Sequence, residues 1–167
     1  MNRHNIFLSL GSNEGNREWL LQQAIDMIRS YIGEVVRVSN IYEGEPIGFK
    51  SEKQFLNLCL EMKAEGNPHQ LLLKLEAIEV KLGRLKPSIF SEYTDRTIDL
   101  DIVFFDDLVV NTEELTIPHP KMHLRRFVLE PLAELCPDFI HPVLKKTVKV
   151  LLGECPDESK LTVTLKR

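Results

Sequence analysis

The stretch Thr97–Phe105, which reads TIDLDIVFF, decides both the fold and the chemistry of this chain. Its apolar and polar residues alternate, and a period of two predicts a half-buried β-strand. The aliphatic residues from Ile98 to Ile102 share one face of this strand, which we expect to pack against helices. Asp99 and Asp101 share the opposite face, with their Cα atoms roughly 6.5 Å apart.

The segments before this strand predict three further strands and two helices. Asn caps and helical periodicity indicate the helices, and β-rich runs indicate the strands. In chain order we predict a strand over Ile6–Leu10, a helix over Asn16–Gly33, strands over Glu34–Tyr42 and Phe55–Lys63, and a helix over Asn67–Gly83. With the strand described above, the order βαββαβ is typical of the α+β, ferredoxin-like (split βαβ) fold. This fold is an antiparallel sheet with helices on one face.

The remaining segments predict loops and additional elements at the carboxyl end. Turn residues over Gly11–Asn16 are expected to end the first strand. The irregular stretches Glu43–Gln54 and Arg84–Asp95 predict long, mobile loops, which in compact domains are usually functional. A helix is expected over Leu124–Leu135, and the stretch Leu144–Arg167 predicts a last strand or helix with no assigned role. We expect residues 1–167 to form a single domain.

Composition restricts the possible functions. The 167 residues are 43% hydrophobic and 28% charged, with a net charge of −4. A mildly acidic chain is a poor general binder of nucleic acid, which needs a basic surface. Three cysteines without metal-ligand spacing indicate reduced thiols, and no apolar run approaches membrane-spanning length. We therefore expect a cytoplasmic protein that binds neither nucleic acid nor membranes and has no obligate protein partner.

Paired carboxylates on one strand face are hard oxygen ligands, which suit Mg²⁺ held together with substrate phosphates. Two solvated acids on an exposed sheet face are the alternative for the Asp99–Asp101 motif taken alone. Basic residues elsewhere in the chain favour the metal, because phosphoryl transfer needs cations around the phosphates. They are Arg84, Arg96, Lys121, Arg125 and Arg126.

Other motifs exclude common nucleotide and zinc sites. His119 and His123 have helical zinc spacing, but Pro118 and Pro120 should keep this segment out of a helix. No Gly-rich phosphate loop has the required spacing, so side chains and a metal would have to hold any nucleotide. For a flat heterocycle the candidates are two aromatic rings and one amide, which belong to Phe55, Phe127 and Asn57. Core packing is the alternative for each ring.

Together these residues resemble a known family, the hydroxymethyl-dihydropterin pyrophosphokinases of folate synthesis. The resemblance extends in order and spacing to about Pro142. It is carried by Leu10-Gly11-Ser12-Asn13, Tyr42–Gly48, Phe55-Leu56-Asn57, Glu79 with Leu82-Gly83-Arg84, Arg96–Ile102, Pro118-His119-Pro120 and Arg125–Leu132.

The resemblance implies transfer of the pyrophosphoryl group of ATP to the hydroxymethyl group of 6-hydroxymethyl-7,8-dihydropterin, with release of AMP. It implies four catalytic residues, which are Arg84, Arg96, Asp99 and Asp101. Of these, Asp99 and Asp101 would bind two Mg²⁺ ions. It implies ATP contacts from Glu79, Lys86, Ile102, His119 and Arg125. It implies pterin contacts from Gly44, Ile47, Phe55, Asn57 and Phe127. It also implies that the loops Glu43–Gln54 and Lys86–Asp95 are mobile loops over the active site, which close over both substrates.

The sequence departs from the family pattern at three positions. Lys86 occupies a position where many family members have a loop arginine. Gly44 replaces a commoner threonine, and Asp95 replaces a proline before Arg96. Three other functions stay open from the residues: an RNA-recognition domain, a Mg²⁺-dependent nucleotide hydrolase and a non-catalytic ligand-binding module. The base for the substrate hydroxyl is also open, between Asp101 and activation by the metal.

Overall fold

The computed structural model describes residues 2–44, 54–83 and 98–165. Its main sheet contains β1 (His4–Ser12), β2 (Glu34–Val38), β3 (Ile41–Gly44), β4 (Phe55–Ala64), β5 (Asp99–Phe105) and β8 (Thr162–Leu165). The strand order is β5-β1-β4-β3-β8, with β2 also paired to β4, and all pairings are antiparallel. β6 (Val110–Asn111) and β7 (Thr116–Ile117) form a small second sheet. The predicted ferredoxin-like fold is confirmed.

Two helices cover one face of this sheet, which we call the inner face. Helix α1 (Arg17–Tyr31) begins at Asn16, whose side chain accepts a hydrogen bond from the Trp19 N–H. Helix α2 (Pro68–Lys81) begins with the predicted reciprocal bonds between Asn67 and Gln70. The buried helical stripes pack on alternate strand residues. The inner core includes Ile6, Leu8, Leu10, Leu21, Ala24, Ile25, Ile28, Leu56, Leu58, Leu60, Leu71, Leu75, Ile78, Leu100 and Ile102.

The expectation that helices lie on one face only was wrong. Helix α3 (Arg126–Leu135) and the short α4 (Val148–Gly153) pack on the opposite, outer face of the sheet. There they bury the strand residues Phe7, Cys59, Val103 and Phe104. The two packed faces give a three-layer arrangement, because part of the outer face is as apolar as the inner face.

The strand predicted over Glu34–Tyr42 is two strands. Ser39 interrupts it: its N–H donates to the Cys59 carbonyl, and its hydroxyl accepts a bond from the Cys59 N–H, both at 2.9 Å. A side chain thus replaces a backbone acceptor, and the chain bends between β2 and β3. The predicted helix at Leu124 also starts later, since Met122–Leu124 is a 3-10 helix and α3 begins at Arg126.

The carboxyl-terminal stretch contains both a helix, α4, and a strand, β8, which extends the sheet beside β3. The predicted loops over Glu43–Gln54 and Arg84–Asp95 fall mostly outside the described residues, although Glu43 and Gly44 complete β3. Among the described helices, each is too short or too polar to cross a lipid bilayer.

Candidate active site

A row of four residues crosses the outer face of the sheet beside the apolar core that α3 and α4 form there. Asp99 on β5 pairs with Gly11 on β1, Gly11 pairs with Asn57 on β4, and Asn57 pairs with Tyr42 on β3. Neighbouring strands lie about 4.8 Å apart, so the Cα atoms of Asp99 and Asn57 are separated by about 10 Å. The sheet register therefore brings the predicted metal ligands and the predicted pterin-reading amide onto one surface.

The two aspartates lie beside His119. Asp101 pairs with Ser9 on β1, one step along the same face from Asp99. The segment after β7 runs along β5, because the His119 N–H donates to the Val103 carbonyl at 3.1 Å. The His119 Nε2 atom then lies 3.9 Å from Asp101 Oδ2. This arrangement gathers two carboxylates and one imidazole at the end of β5.

His119 is a neutral donor in this arrangement. The Lys121 N–H donates to His119 Nδ1 at 3.2 Å, so the ring proton of the neutral imidazole is on Nε2, which faces Asp101. Burial lowers the pKa of His119, and the nearby Asp99 only partly offsets this. At neutral pH the ring is therefore uncharged and offers one N–H toward the aspartates.

Glu79 supports the strand that carries the aspartates. It is only 7% exposed on α2, and its Oε2 accepts a hydrogen bond of 2.8 Å from the Leu100 N–H. Leu100 lies between Asp99 and Asp101, so this bond fixes the backbone between the two carboxylates. The sequence indicated Glu79 as a nucleotide contact, and the structure gives it this backbone bond as well.

The donor set fits a magnesium ion that completes its coordination with substrate. Both aspartates are only partly exposed, and the Asp101 side chain retains 37% of its accessible surface. Within residues 2–44, 54–83 and 98–165, no group of three or more His, Cys, Asp or Glu side chains could enclose a metal. Mg²⁺ suits such an open site, since it usually keeps waters and takes substrate phosphates beside one or two carboxylates.

Gly11 leaves room for the Asn57 side chain. A Cβ at position 11 would lie 2.7 Å from Asn57 Oδ1 and 3.7 Å from Phe55 Cδ1. Asn57 is 4% exposed and Phe55 is half-buried. The prediction that the first strand ends before Gly11 is wrong, because β1 continues to Ser12. The close approach of Asn57 explains a glycine within a strand.

The first turn of α3 brings together a predicted nucleotide contact and a predicted pterin contact. The Arg125 guanidinium carbon lies 5.6 Å from the centre of the half-buried Phe127 ring. A cation over an aromatic face at this distance is attracted to it. Tyr42, at the end of the cross-sheet row, also binds this helix through a hydrogen bond from its hydroxyl to Glu134.

Arg17, which the sequence analysis did not select, joins the ends of two strands. Its Nη1 atom lies 2.8 Å from Glu43 Oε2 at the end of β3 and 2.6 Å from the Gln54 carbonyl before β4. Gly44 follows Glu43 in the sequence, and Phe55 follows Gln54. These two residues, both predicted pterin contacts, pair with each other between β3 and β4. No local pattern marks Arg17, because both of its partners are distant in sequence.

The other predicted residues differ in where they lie. Ile102 is 4% exposed and packs in the inner core, so its side chain points away from Asp101 and only its main chain is left for a nucleotide. Gly44 is buried at the end of β3. The remaining predictions concern residues outside the described ranges, namely Arg84, Lys86 and Arg96 for catalysis and ATP, and Ile47 for pterin.

Comparison with known proteins gives a consistent family. A sequence model described as 7,8-dihydro-6-hydroxymethylpterin-pyrophosphokinase (HPPK) matches residues 7–137. The 2-amino-4-hydroxy-6-hydroxymethyldihydropteridine pyrophosphokinase of Bacillus subtilis is 43% identical over 131 residues, 78% of this chain and 77% of that protein. The protein of the same name from Aquifex aeolicus is 35% identical over 144 residues, 86% of this chain and 88% of that protein.

A solved structure supports the fold independently. The wild-type HPPK-DHPS protein of Plasmodium falciparum superposes with a TM-score of 0.75 at 17% sequence identity. The match covers 92% of this chain and 45% of that chain, so this chain spans about half the length of the larger protein. At this identity the likeness concerns the fold.

Proposed function

This chain belongs to the 7,8-dihydro-6-hydroxymethylpterin-pyrophosphokinase family, and from this premise we propose how its residues divide the reaction between two substrates. The reaction is transfer of the pyrophosphoryl group of ATP to the hydroxymethyl group of 6-hydroxymethyl-7,8-dihydropterin, a step of folate biosynthesis. The cross-sheet row carries the proposal, because it brings Asp99 and Asn57 onto one face about 10 Å apart.

The β5 end of the row is the nucleotide side. Asp99 and Asp101 would hold two Mg²⁺ ions, which would neutralise charge on the triphosphate. His119 donates a hydrogen bond from its Nε2–H to a phosphate oxygen, because Nδ1 already accepts a bond from the Lys121 N–H. Arg125 adds a positive charge at the first turn of α3. Glu79 acts indirectly, by holding the Leu100 N–H between the two aspartates.

The cationic and loop residues complete the nucleotide side in this proposal. Arg84 and Arg96 contact the phosphates during transfer, and Lys86 contributes one further charge. These assignments rest on the match of the sequence to the family over residues 7–137. Guanidinium groups are suited to this role, since their paired N–H groups match two phosphate oxygens at once.

The β4 end of the row is the pterin side. Asn57 offers both a donor and an acceptor to the edge of the bicycle, and its burial keeps water from competing for them. Phe55 and Phe127 supply flat apolar faces for the ring system. Gly44 pairs with Phe55 on this side, and the family resemblance assigns Ile47 to the pterin as well. Gly11 contributes by absence of a side chain, since it leaves the Asn57 amide in place.

The chemical step is an in-line displacement at the β-phosphorus of ATP. The hydroxyl oxygen of the pterin forms a new bond to that phosphorus, and the bond from the β-phosphorus to the oxygen bridging it to the α-phosphorus breaks. AMP leaves with the bridging oxygen, and the hydroxyl proton is released to solvent in the net reaction. His119 is not the base in this scheme, because its available nitrogen carries a proton.

The test is nucleotide product analysis with purified protein, ATP, Mg²⁺ and 6-hydroxymethyl-7,8-dihydropterin, each omitted in turn. AMP should form only when all four are present. ADP would indicate ordinary phosphoryl transfer, and pterin-independent turnover would indicate a nucleotide hydrolase; either result would contradict the proposal. The cytoplasmic location, the single domain and the absence of an obligate protein partner stay predictions.

A further inference from the structure

The segment 157–165, which we call the C-terminal segment, lies beyond the residues 7–137 that match the family. It nevertheless contacts two elements of the candidate active site. One end binds the first turn of α3, and the other end lies along β3. The inference below rests on the proposed function, since it concerns the pterin side of that site.

Asp157 supplies the cap that α3 lacks. The residue before this helix, Arg125, makes no side-chain capping bond. Instead Asp157 Oδ2 accepts a bond of 3.1 Å from the Arg126 N–H, and the Asp157 carbonyl accepts one of 2.8 Å from Arg126 Nε. A carboxylate at a helix N-terminus is favourable, because it satisfies a free N–H and opposes the positive end of the helix dipole. The helix residue next to this bond is Phe127.

Asp157 is held as a carboxylate. Burial alone would raise its pKa, but hydrogen bonds from Ser159 and Arg126 outweigh burial and leave the pKa below its usual value. The Ser159 N–H donates to Asp157 Oδ1 at 2.9 Å. Both carboxylate oxygens are therefore occupied, and the direction of the side chain is fixed.

The other end of the C-terminal segment packs on the end of β3. Thr162 and Val163 pair with Glu43 and Tyr42. Leu161 lies against buried Gly44, where an added Cβ would overlap its Cδ2 atom. Gly44 pairs in turn with Phe55 on β4.

We propose that the C-terminal segment sets the separation of the two aromatic walls of the pterin site. Asp157 holds the α3 turn that carries Phe127, and four residues later Leu161 holds the β3 end that pairs with Phe55. Asp157 and Leu161 are thus positioning residues for the pterin, which they do not touch. The two aspartates of the nucleotide side lie on β5, at the other end of the strand order from β8, and among the nucleotide contacts only Arg125 adjoins the Asp157 cap.

The experiment compares variants in which one side chain is shortened to alanine with matched control variants. Asp157→Ala is paired with Glu158→Ala, the adjacent exposed acid, and Leu161→Ala is paired with Leu73→Ala, which shortens an exposed leucine on α2. Asp157→Asn is the conservative variant, because an amide oxygen also caps a helix. Direct equilibrium binding of 6-hydroxymethyl-7,8-dihydropterin is measured with a non-hydrolysable ATP analogue present. Binding of the analogue alone and the urea midpoint are measured in parallel.

Leu161→Ala should weaken pterin binding about fivefold to tenfold, with analogue binding changed less than about twofold. Asp157→Ala should weaken pterin binding by the same factor and analogue binding by a smaller one, since Arg125 adjoins the cap. Asp157→Asn should recover most of the loss, and both control variants should bind pterin normally. Equal losses of pterin and analogue binding, following the urea midpoint, would mean a structural role and overturn the proposal. Unchanged pterin binding in both truncations would also overturn it. Failure of the wild-type chain to form AMP would instead count against the proposed function.

Discussion

The two faces of the central strands differ in the polarity of their side chains and in the helices that cover them. On β1 the inner residues Ile6, Leu8 and Leu10 are all nearly or fully buried under α1 and α2. On the outer face of the same strand Phe7 is buried under α3, while Ser9 and Gly11 continue toward the candidate active site. The inner face of β1 is apolar from Ile6 to Leu10, whereas the outer face changes from core to active site within five residues.

This difference means that one strand performs two separate tasks through alternate residues. Substitutions on the inner face should change stability. Substitutions at the active-site end of the outer face should change substrate binding or turnover. The predictions that follow test this separation, in order of decreasing expected effect.

Asp99→Ala and Asp101→Ala should each lower kcat by about 1,000-fold or more, because each removes a carboxylate from the proposed metal pair. The urea unfolding midpoint should stay close to that of the wild type, since both side chains are partly exposed. Steady-state kinetics at saturating Mg²⁺ and urea unfolding of the same preparations provide the check. Near-normal turnover in either variant would contradict the metal assignment.

Leu8→Ala, on the inner face, should lower the free energy of unfolding by about 2–5 kcal/mol, because it creates a cavity at a fully buried position. The matched outer substitution Ser9→Ala, one residue away, should cost about 1 kcal/mol at most. Urea unfolding followed by circular dichroism measures both. Equal losses in the two variants would show that the faces do not divide their roles.

Gly11→Ala should weaken pterin binding by about tenfold, since the new methyl group forces Asn57 to move at an overpacked site. The control is Gly153→Ala, because a Cβ there meets nothing within 4 Å. Binding isotherms for the pterin, with ATP analogue binding as reference, separate the two variants. A Gly11→Ala chain with wild-type pterin affinity would remove Asn57 from the proposed site.

Stability should decrease modestly as the pH falls below about 6.5, the ordinary pKa of histidine. Burial lowers the pKa of both His119 and His141 in the folded chain. The unfolded chain then takes up protons first, so stability is full above that pH and is lost as the pH falls toward the folded values. Urea midpoints at pH 7.5 and 5.5 measure this, and His119→Asn and His141→Asn should each reduce the difference. A midpoint independent of pH over this range would contradict the prediction.

Much of the inner face could be predicted from the sequence, because local periodicity determines it. The alternation in Thr97–Phe105 correctly separated Leu100 from Asp99 and Asp101, and the caps at Asn16 and Asn67 were confirmed. Such patterns depend on neighbours a few residues apart, and the physics that produces them is equally local.

The rest could not be predicted because it depends on contacts distant in sequence. Valine-rich alternation favoured one strand over Glu34–Tyr42, and only the hydrogen bonds of Ser39 with Cys59 divide it. Gly11 resembles a turn residue until Asn57 lies above it. Arg17 and Asp157 find their partners 26 and 31 residues away in the sequence, respectively. For the same reason, the site residues recognised from the sequence came from the resemblance to a family more than from periodicity.

The bonds of Glu79 and His119 also occupy backbone hydrogen-bonding groups of β5. β5 is the last strand at one end of the sheet order formed by the described residues, so its outward N–H and C=O groups could template a strand from another molecule. Glu79 occupies the Leu100 N–H, and the His119 N–H occupies the Val103 carbonyl. Two residues proposed for the nucleotide side therefore also occupy edge groups that could otherwise pair with a strand of another molecule. A substitution of either residue could then affect aggregation as well as catalysis.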